Sequence, residues 1–115
     1  MSIKELQKKV AHFMNEREWG QFHSPKNVSM AIATEAAELM EIFRWMTEEQ
    51  SWQALKSDCR KDIEHEIADV AIAVLNFCNR ADIDISSAVN EKLVLAAEKY
   101  PVDKAKGNIR KYTEL

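Results

Sequence analysis

The chain has 115 residues, 46% of them hydrophobic, which suits one compact domain and argues against intrinsic disorder. Its 16 basic and 19 acidic side chains leave a formal charge of -3, opposing a basic surface for nucleic acid. Two glycines, two prolines and two cysteines without Cys-x-x-Cys spacing speak against a turn-rich β-sandwich, a disulfide framework and a zinc ribbon.

Every element reads as helix, so the expected fold class is all-α, with residues 1–115 as a single domain. Ser2-x-x-Glu5 is a capping box, and behind it Ile3, Leu6, Val10 and Phe13 form the apolar stripe of a helix running to about Arg17. Trp19-Gly20-Gln21-Phe22-His23-Ser24 then reads as a short loop. Ser24 and Pro25 open a second helix, with Ser as cap and Pro at the first helical position, and nothing breaks its periodicity before Met46. Thr47-x-x-Gln50 caps a short helix to Leu55, in which Trp52 is expected to pack. A third long helix is expected from Cys59 to Ala81. Its stretch from Ile67 to Cys78 is apolar on nearly every face, which predicts protein on all sides and a subunit interface supplying part of the cover. Asp84 or Ser86 caps a last helix to Tyr100, Pro101 ends it, and Val102–Leu115 is a polar tail. The polar start at Met1–Glu5 and the absence of 18 consecutive apolar residues lead to a cytoplasmic protein without a membrane partner.

Two patterns carry the chemistry. Glu35-x-x-Glu38 lies in the second helix and Glu66-x-x-Asp69 in the third, after 27 intervening residues. Side chains three apart share a helix face, roughly 5–6 Å between Cβ atoms, so each pair points two carboxylates one way. Antiparallel packing of the two helices lets all four converge. Such pairs are common on solvated faces, but Asp69 sits in the most apolar run of the chain, and no Lys or Arg occurs between Glu66 and Asn79. Buried carboxylates in one another's company need a cation, and Mg²⁺, with Mn²⁺ as a substitute, suits an all-oxygen ligand set. Glu41 and Glu64 read as solvated neighbours, although Glu41 extends the same helix face and is an alternative contributor, and His12 and His65 read as surface residues.

With these acids in place, the chain resembles the all-α nucleoside triphosphate pyrophosphohydrolases of the MazG type, and within them the dCTP pyrophosphatase branch. The resemblance is carried by Glu18-Trp19-Gly20-Gln21-Phe22-His23-Ser24-Pro25, by Glu35-Ala36-Ala37-Glu38-Leu39-Met40-Glu41-Ile42-Phe43-Arg44-Trp45, by Glu66-Ile67-Ala68-Asp69-Val70, and by Lys99-Tyr100-Pro101 and Lys111-Tyr112-Thr113-Glu114-Leu115. It implies a four-helix-bundle-like fold on a homo-oligomer, a dimer or tetramer, with Glu35, Glu38, Glu66 and Asp69 binding Mg²⁺. It also implies nucleotide contacts from Trp19, Gly20, Gln21, Phe22, His23 and Trp45, with Lys92 and Tyr100 near the phosphates, and a part in nucleotide pool sanitation or dCTP balance. Independently, Trp19, Phe22 and Trp45 offer flat faces for a base, and His23 a hydrogen-bond donor. Three positions depart from the family pattern: Val10, Ala73 and Ala96 stand where the resemblance leads one to expect His, Tyr and Asn.

The expected reaction is attack of water on the α-phosphorus of a nucleoside triphosphate, dCTP-like by resemblance, releasing the monophosphate and pyrophosphate, with Glu35 or Glu38 orienting or deprotonating the water. Two other classes fit a helical acidic protein. A di-iron or di-manganese oxidoreductase wants Glu-x-x-His, and the nearest match here is Asp62-x-x-His65. A non-catalytic helical module would use the apolar third helix for assembly alone.

Overall fold

The structure, a computed structural model, describes all 115 residues as six α-helices and two 3-10 turns, with no strand, in accord with the all-α expectation. Helix α1 spans Ile3–Glu16, and its capping box forms as expected: Ser2 Oγ accepts from the Glu5 amide at 3.0 Å, and Glu5 Oε2 accepts from the Ser2 amide at 3.2 Å. The chain leaves α1 through Glu18, which is in the left-handed region at φ 55°. For a residue with a Cβ that conformation costs roughly 1–2 kcal/mol, and Gln21 Nε2 holds the turn by donating to the Glu18 carbonyl at 3.0 Å. Residues Trp19–Phe22, expected as an irregular loop, form a 3-10 turn.

Helix α2, Pro25–Phe43, begins where Ser24 Oγ accepts from the Asn27 amide at 3.1 Å. It stops three residues before the expected Met46 because Thr47 is needed in an extended conformation (φ -72°, ψ 166°). There Thr47 forms a reciprocal cap with Gln50 for helix α3, Glu48–Ala54. Within α3 it is Ala54 that is buried, whereas Trp52 is 72% exposed, so the packing role expected for Trp52 is not one this chain supplies. Helix α4 covers Arg60–Arg80 and packs against α2 and α1. Val28, Ile63 and Leu75 are buried along these contacts, and each contributes roughly 1.5–3 kcal/mol. Two neighbouring helices cannot surround an all-round apolar helix. Ile67 stays 51% and Ile72 41% exposed, so the enclosure expected of α4 is incomplete in the single chain.

Contacts divide the chain into two compact units, Met1–Ile83 and Asp84–Leu115. In the second, Asp84 rather than Ser86 caps helix α5, Ile85–Lys99, by accepting from the Ser86 amide at 3.1 Å. Pro101 ends α5 and also caps a further short helix, α6, Val102–Ala105. The expected tail is therefore partly ordered. Tyr112 meets Tyr100 edge-on at 6.0 Å, and Lys99 Nζ lies 4.8 Å over the Tyr112 ring. No helix is long and apolar enough to cross a membrane.

Candidate metal centre and adjoining pocket

Helices α2 and α4 run antiparallel past one another. Residues 27, 28, 31 and 35 of α2 line one pocket with residues 69, 72, 73 and 76 of α4, while residues 38, 41 and 42 line another with 62, 65 and 66. This register brings together the two carboxylate pairs. One oxygen from each of Glu35, Glu38, Glu66 and Asp69 lies within 4.8 Å of the others. Glu35 and Glu66 are half-buried, Glu38 and Asp69 more exposed.

The electrostatics of the cluster are unfavourable as it stands. Oε2 of Glu35 and Oε2 of Glu66 are closed to solvent and lack a hydrogen-bond partner. Burial pushes the Glu35 carboxyl above the usual carboxylate range, and the negative charges of Glu38, Asp69 and Glu66 push it further. Glu66 is raised in the same way, by burial first and then by Glu38 and Asp69. The ion pairs of the chain lie elsewhere: Arg60 and Lys61 hold Glu64, which they draw below its ordinary value, and His12 meets Glu16 at 3.2 Å. Four hard oxygen donors without a Lys or Arg ion pair fit a divalent cation such as Mg²⁺ or Mn²⁺, since the ion supplies both the positive charge and the partner that two shielded oxygens lack.

A pocket of about 200 Å³ opens beside the cluster. Glu35 and Asp69 form one end, Trp19, His23, Asn27 and Asn76 the other, and Ala31, Ile72 and Ala73 lie between them. At 1.5 Å rise per residue the step from Asp69 to Asn76 along α4 is about 10 Å. On the other side of the acids, Glu38, Glu41, Asp62, His65 and Glu66 line a wider recess of about 590 Å³, and Glu41 and His65 are exposed there, as the sequence leads one to expect.

The aromatic end is a chain of ring contacts. Arg17 stacks 3.7 Å over Phe13, Phe13 meets Trp19 edge-on at 5.7 Å, and Trp19 meets His23 at 6.3 Å. Helix α4 holds the turn from beneath. Asn76 Nδ2 is 3.0 Å from His23 Nδ1, and Arg80 Nε donates to the His23 carbonyl at 3.3 Å. Gly20 matters for its closeness to this support: a Cβ there would stand 3.0 Å from Arg80 Nη1.

Of the residues singled out in the sequence, Trp19, His23, Glu35 and Asp69 share the pocket, and Glu38 and Glu66 complete the acid cluster. Gln21 serves the turn through Glu18. Phe22 is 61% exposed and Trp45 85% exposed, the latter beside Arg44 at 5.0 Å, and neither lines the pocket within this chain. Lys92 on α5 and Tyr100 at its C-terminal end belong to the second unit. Sequence reasoning missed Asn27, Asn76 and Arg80. Asn76 carries a readable signal, a lone amide inside the run Val74-Leu75-Asn76-Phe77-Cys78. Of the departing positions, Ala73 lines the pocket, whereas Val10 is buried beside a separate apolar recess with Leu6 and Phe13.

A family model described as the MazG-like family matches residues 30–115. The dCTP pyrophosphatase 1 of Rattus norvegicus is 32% identical over 118 residues, covering 99% of this chain and 68% of the relative. The dCTP pyrophosphatase 1 of Homo sapiens is 33% identical with the same coverage. A crystal structure of a pyrophosphatase from Archaeoglobus fulgidus superposes with a TM-score of 0.80 at 36% identity, covering 86% of this chain and 92% of that one. With its helices and acid pairs in this arrangement and these likenesses beside them, the chain belongs to the MazG-like family.

Proposed function

We propose that the chain is a divalent-metal-dependent nucleotide pyrophosphohydrolase that converts a nucleoside triphosphate, with dCTP as the leading candidate, into the monophosphate and pyrophosphate. The observation that carries this reading is the meeting of four carboxylates within 4.8 Å, two of them with shielded, unpartnered oxygens, at the mouth of a pocket with an aromatic far end. The pyrophosphatase names of the relatives support the reaction class, and the dCTP in two of those names supports the substrate.

Glu35, Glu38, Glu66 and Asp69 would hold Mg²⁺ or Mn²⁺. Bound there, the cation would offset the triphosphate charge and make nearby water more acidic. The chain's own part is positioning and proton handling. Glu38, which also lines the wider recess, or Glu35 beside it would orient or deprotonate the attacking water. Trp19 and His23 receive the base, and the apolar walls at Ile72 and Ala73 exclude water from its faces. Gly20 and Gln21 shape the turn that carries Trp19 and His23. Phe22 and Trp45, exposed aromatics, are read as further nucleotide contacts in a homo-oligomer, dimeric or tetrameric, which the open face of α4 favours. Lys92 and Tyr100 are read as phosphate contacts, and residues 1–115 as one functional domain working in the cytoplasm.

The test is incubation of the protein with dCTP and Mg²⁺, with products separated by ion-exchange chromatography. Deoxycytidine monophosphate and pyrophosphate are expected. Orthophosphate with the diphosphate would reject attack at the α-phosphorus, and absence of turnover across the natural triphosphates would reject the enzyme reading.

A further inference from the structure

Asn76 is the one buried polar side chain of the chain, 5% exposed in the inner turns of α4. The chemistry of the acids and the stacking of a base leave it without a task. Its amide nitrogen lies 3.0 Å from His23 Nδ1. With the amide nitrogen toward the ring, as it stands here, the amide donates, Nδ1 presents its lone pair and the ring proton belongs on Nε2. The rest of His23 is fixed too: its carbonyl accepts from Arg80 Nε at 3.3 Å, and the Trp19 ring stands edge-on to the imidazole.

Taking the occupant of the pocket to be a nucleotide, as proposed above, the position of this pair says which part it meets. The acids at Glu35 and Asp69 are the end for a metal and phosphates. His23 and Asn76 lie at the opposite end, about 10 Å further along α4, a separation that matches phosphate to base rather than phosphate to phosphate. We propose that Asn76 is a positioning residue that locks His23 into the tautomer with its proton on Nε2, so that this N–H reads a hydrogen-bond acceptor on the nucleobase. A pyrimidine ring carbonyl or unprotonated ring nitrogen is the chemical partner that fits. The amide acts through the imidazole and specifies the direction of one hydrogen bond, a function that a packing residue of the same size would not supply.

Nitrogen-15-labelled histidine in the intact protein reads the tautomer directly by long-range proton–nitrogen correlation. The surface variants His12→Gln and His65→Gln assign the other two rings. The expected pattern for His23 is a protonated Nε2 and an unprotonated Nδ1, retained when dCTP or its product is added. In Asn76→Leu, which keeps the branched side-chain skeleton and removes the amide, the pattern should average between tautomers. KM should then rise about tenfold, the factor set by one ordinary hydrogen bond, with kcat within about twofold because a base contact is made equally in ground and transition states. In the background of His23→Phe the same substitution should change KM little further.

An Nδ1-protonated His23 in active wild-type protein overturns the proposal, as does an Asn76→Leu variant with unaltered tautomer or unaltered KM. If that variant does not fold, the wild-type spectrum decides alone. Wild-type protein that hydrolyses no triphosphate overturns the enzyme reading instead, and the two failures are told apart by the same two measurements.

Discussion

At the acid end of the pocket, four carboxylates are placed by helix register alone: two pairs, each three residues apart, on two antiparallel helices in contact. At the aromatic end, Trp19 and His23 sit on a one-turn 3-10 segment whose position depends on long-range bonds from Asn76 and Arg80. Helix register holds groups to the precision that phosphoryl chemistry needs. A turn held by a few side chains tolerates exchange of those side chains at small cost. The difference suggests a division in which α2 and α4 supply reaction chemistry and the turn supplies choice of substrate, and it sets opposite expectations for variants at the two ends.

Glu38→Gln should have the largest effect. It removes a charge and a proton acceptor while keeping the shape, so kcat should fall about 10²–10⁴-fold. In metal-free protein the same change relieves repulsion on Glu66 and Glu35, so the melting temperature should rise without added Mg²⁺ and respond less to it. Steady-state kinetics and thermal melts check both halves, and full activity in this variant would move the chemistry away from the cluster. Trp19→Ala comes next. Loss of one base-stacking face is worth roughly 1–3 kcal/mol, so KM should rise about 10- to 100-fold with kcat nearly unchanged. An equal fall in kcat would erase the distinction between the two ends.

A third expectation concerns pH. Glu35 and Glu66 have folded-state values raised above the ordinary 4.5. Below that value both folded and unfolded chains are protonated there, and the contribution to stability is complete. As pH climbs toward the raised values the unfolded chain loses its protons first, so stability is withdrawn. A divalent cation binds the deprotonated carboxylates and opposes that loss. Melting temperatures with Mg²⁺ minus those without should therefore grow as pH rises above the ordinary 4.5. A flat difference would mean that the acids bind no cation.

How much of this was legible in the sequence follows from the reach of the interactions. The caps at Ser2, Ser24 and Thr47 and the acid pairs are local patterns, set by contacts within four residues, and each is found where the sequence puts it. The left-handed Glu18 before the 3-10 turn is also local, yet no glycine or asparagine stands at that position, because Gln21 supplies the bond that holds it. Asn76 and Arg80 act across more than 50 residues on His23, and a single sequence gives no distance between them. The open face at Ile67 and Ile72 had a sequence signature, uniform apolarity, but periodicity cannot say whether the cover comes from the same chain.

Gly20→Ala should give the smallest change and is the finest probe of the turn. Gly20 is outside the left-handed region, so alanine fits the backbone there, and the unfolded chain loses freedom, which stabilises by about 0.4–1 kcal/mol. Against that, the new Cβ would stand 3.0 Å from Arg80 Nη1. The guanidinium is the end of a flexible side chain and can retreat by a few tenths of an ångström, though at some loss to its bond with the His23 carbonyl. Stability should therefore stay within about 0.5 kcal/mol of the parent, while KM, which depends on where His23 stands, should rise by about two- to fivefold, less than one full hydrogen bond. An unaltered KM would mean that Arg80 fills space under the turn without steering it, leaving Asn76 as the sole link from α4 to the imidazole.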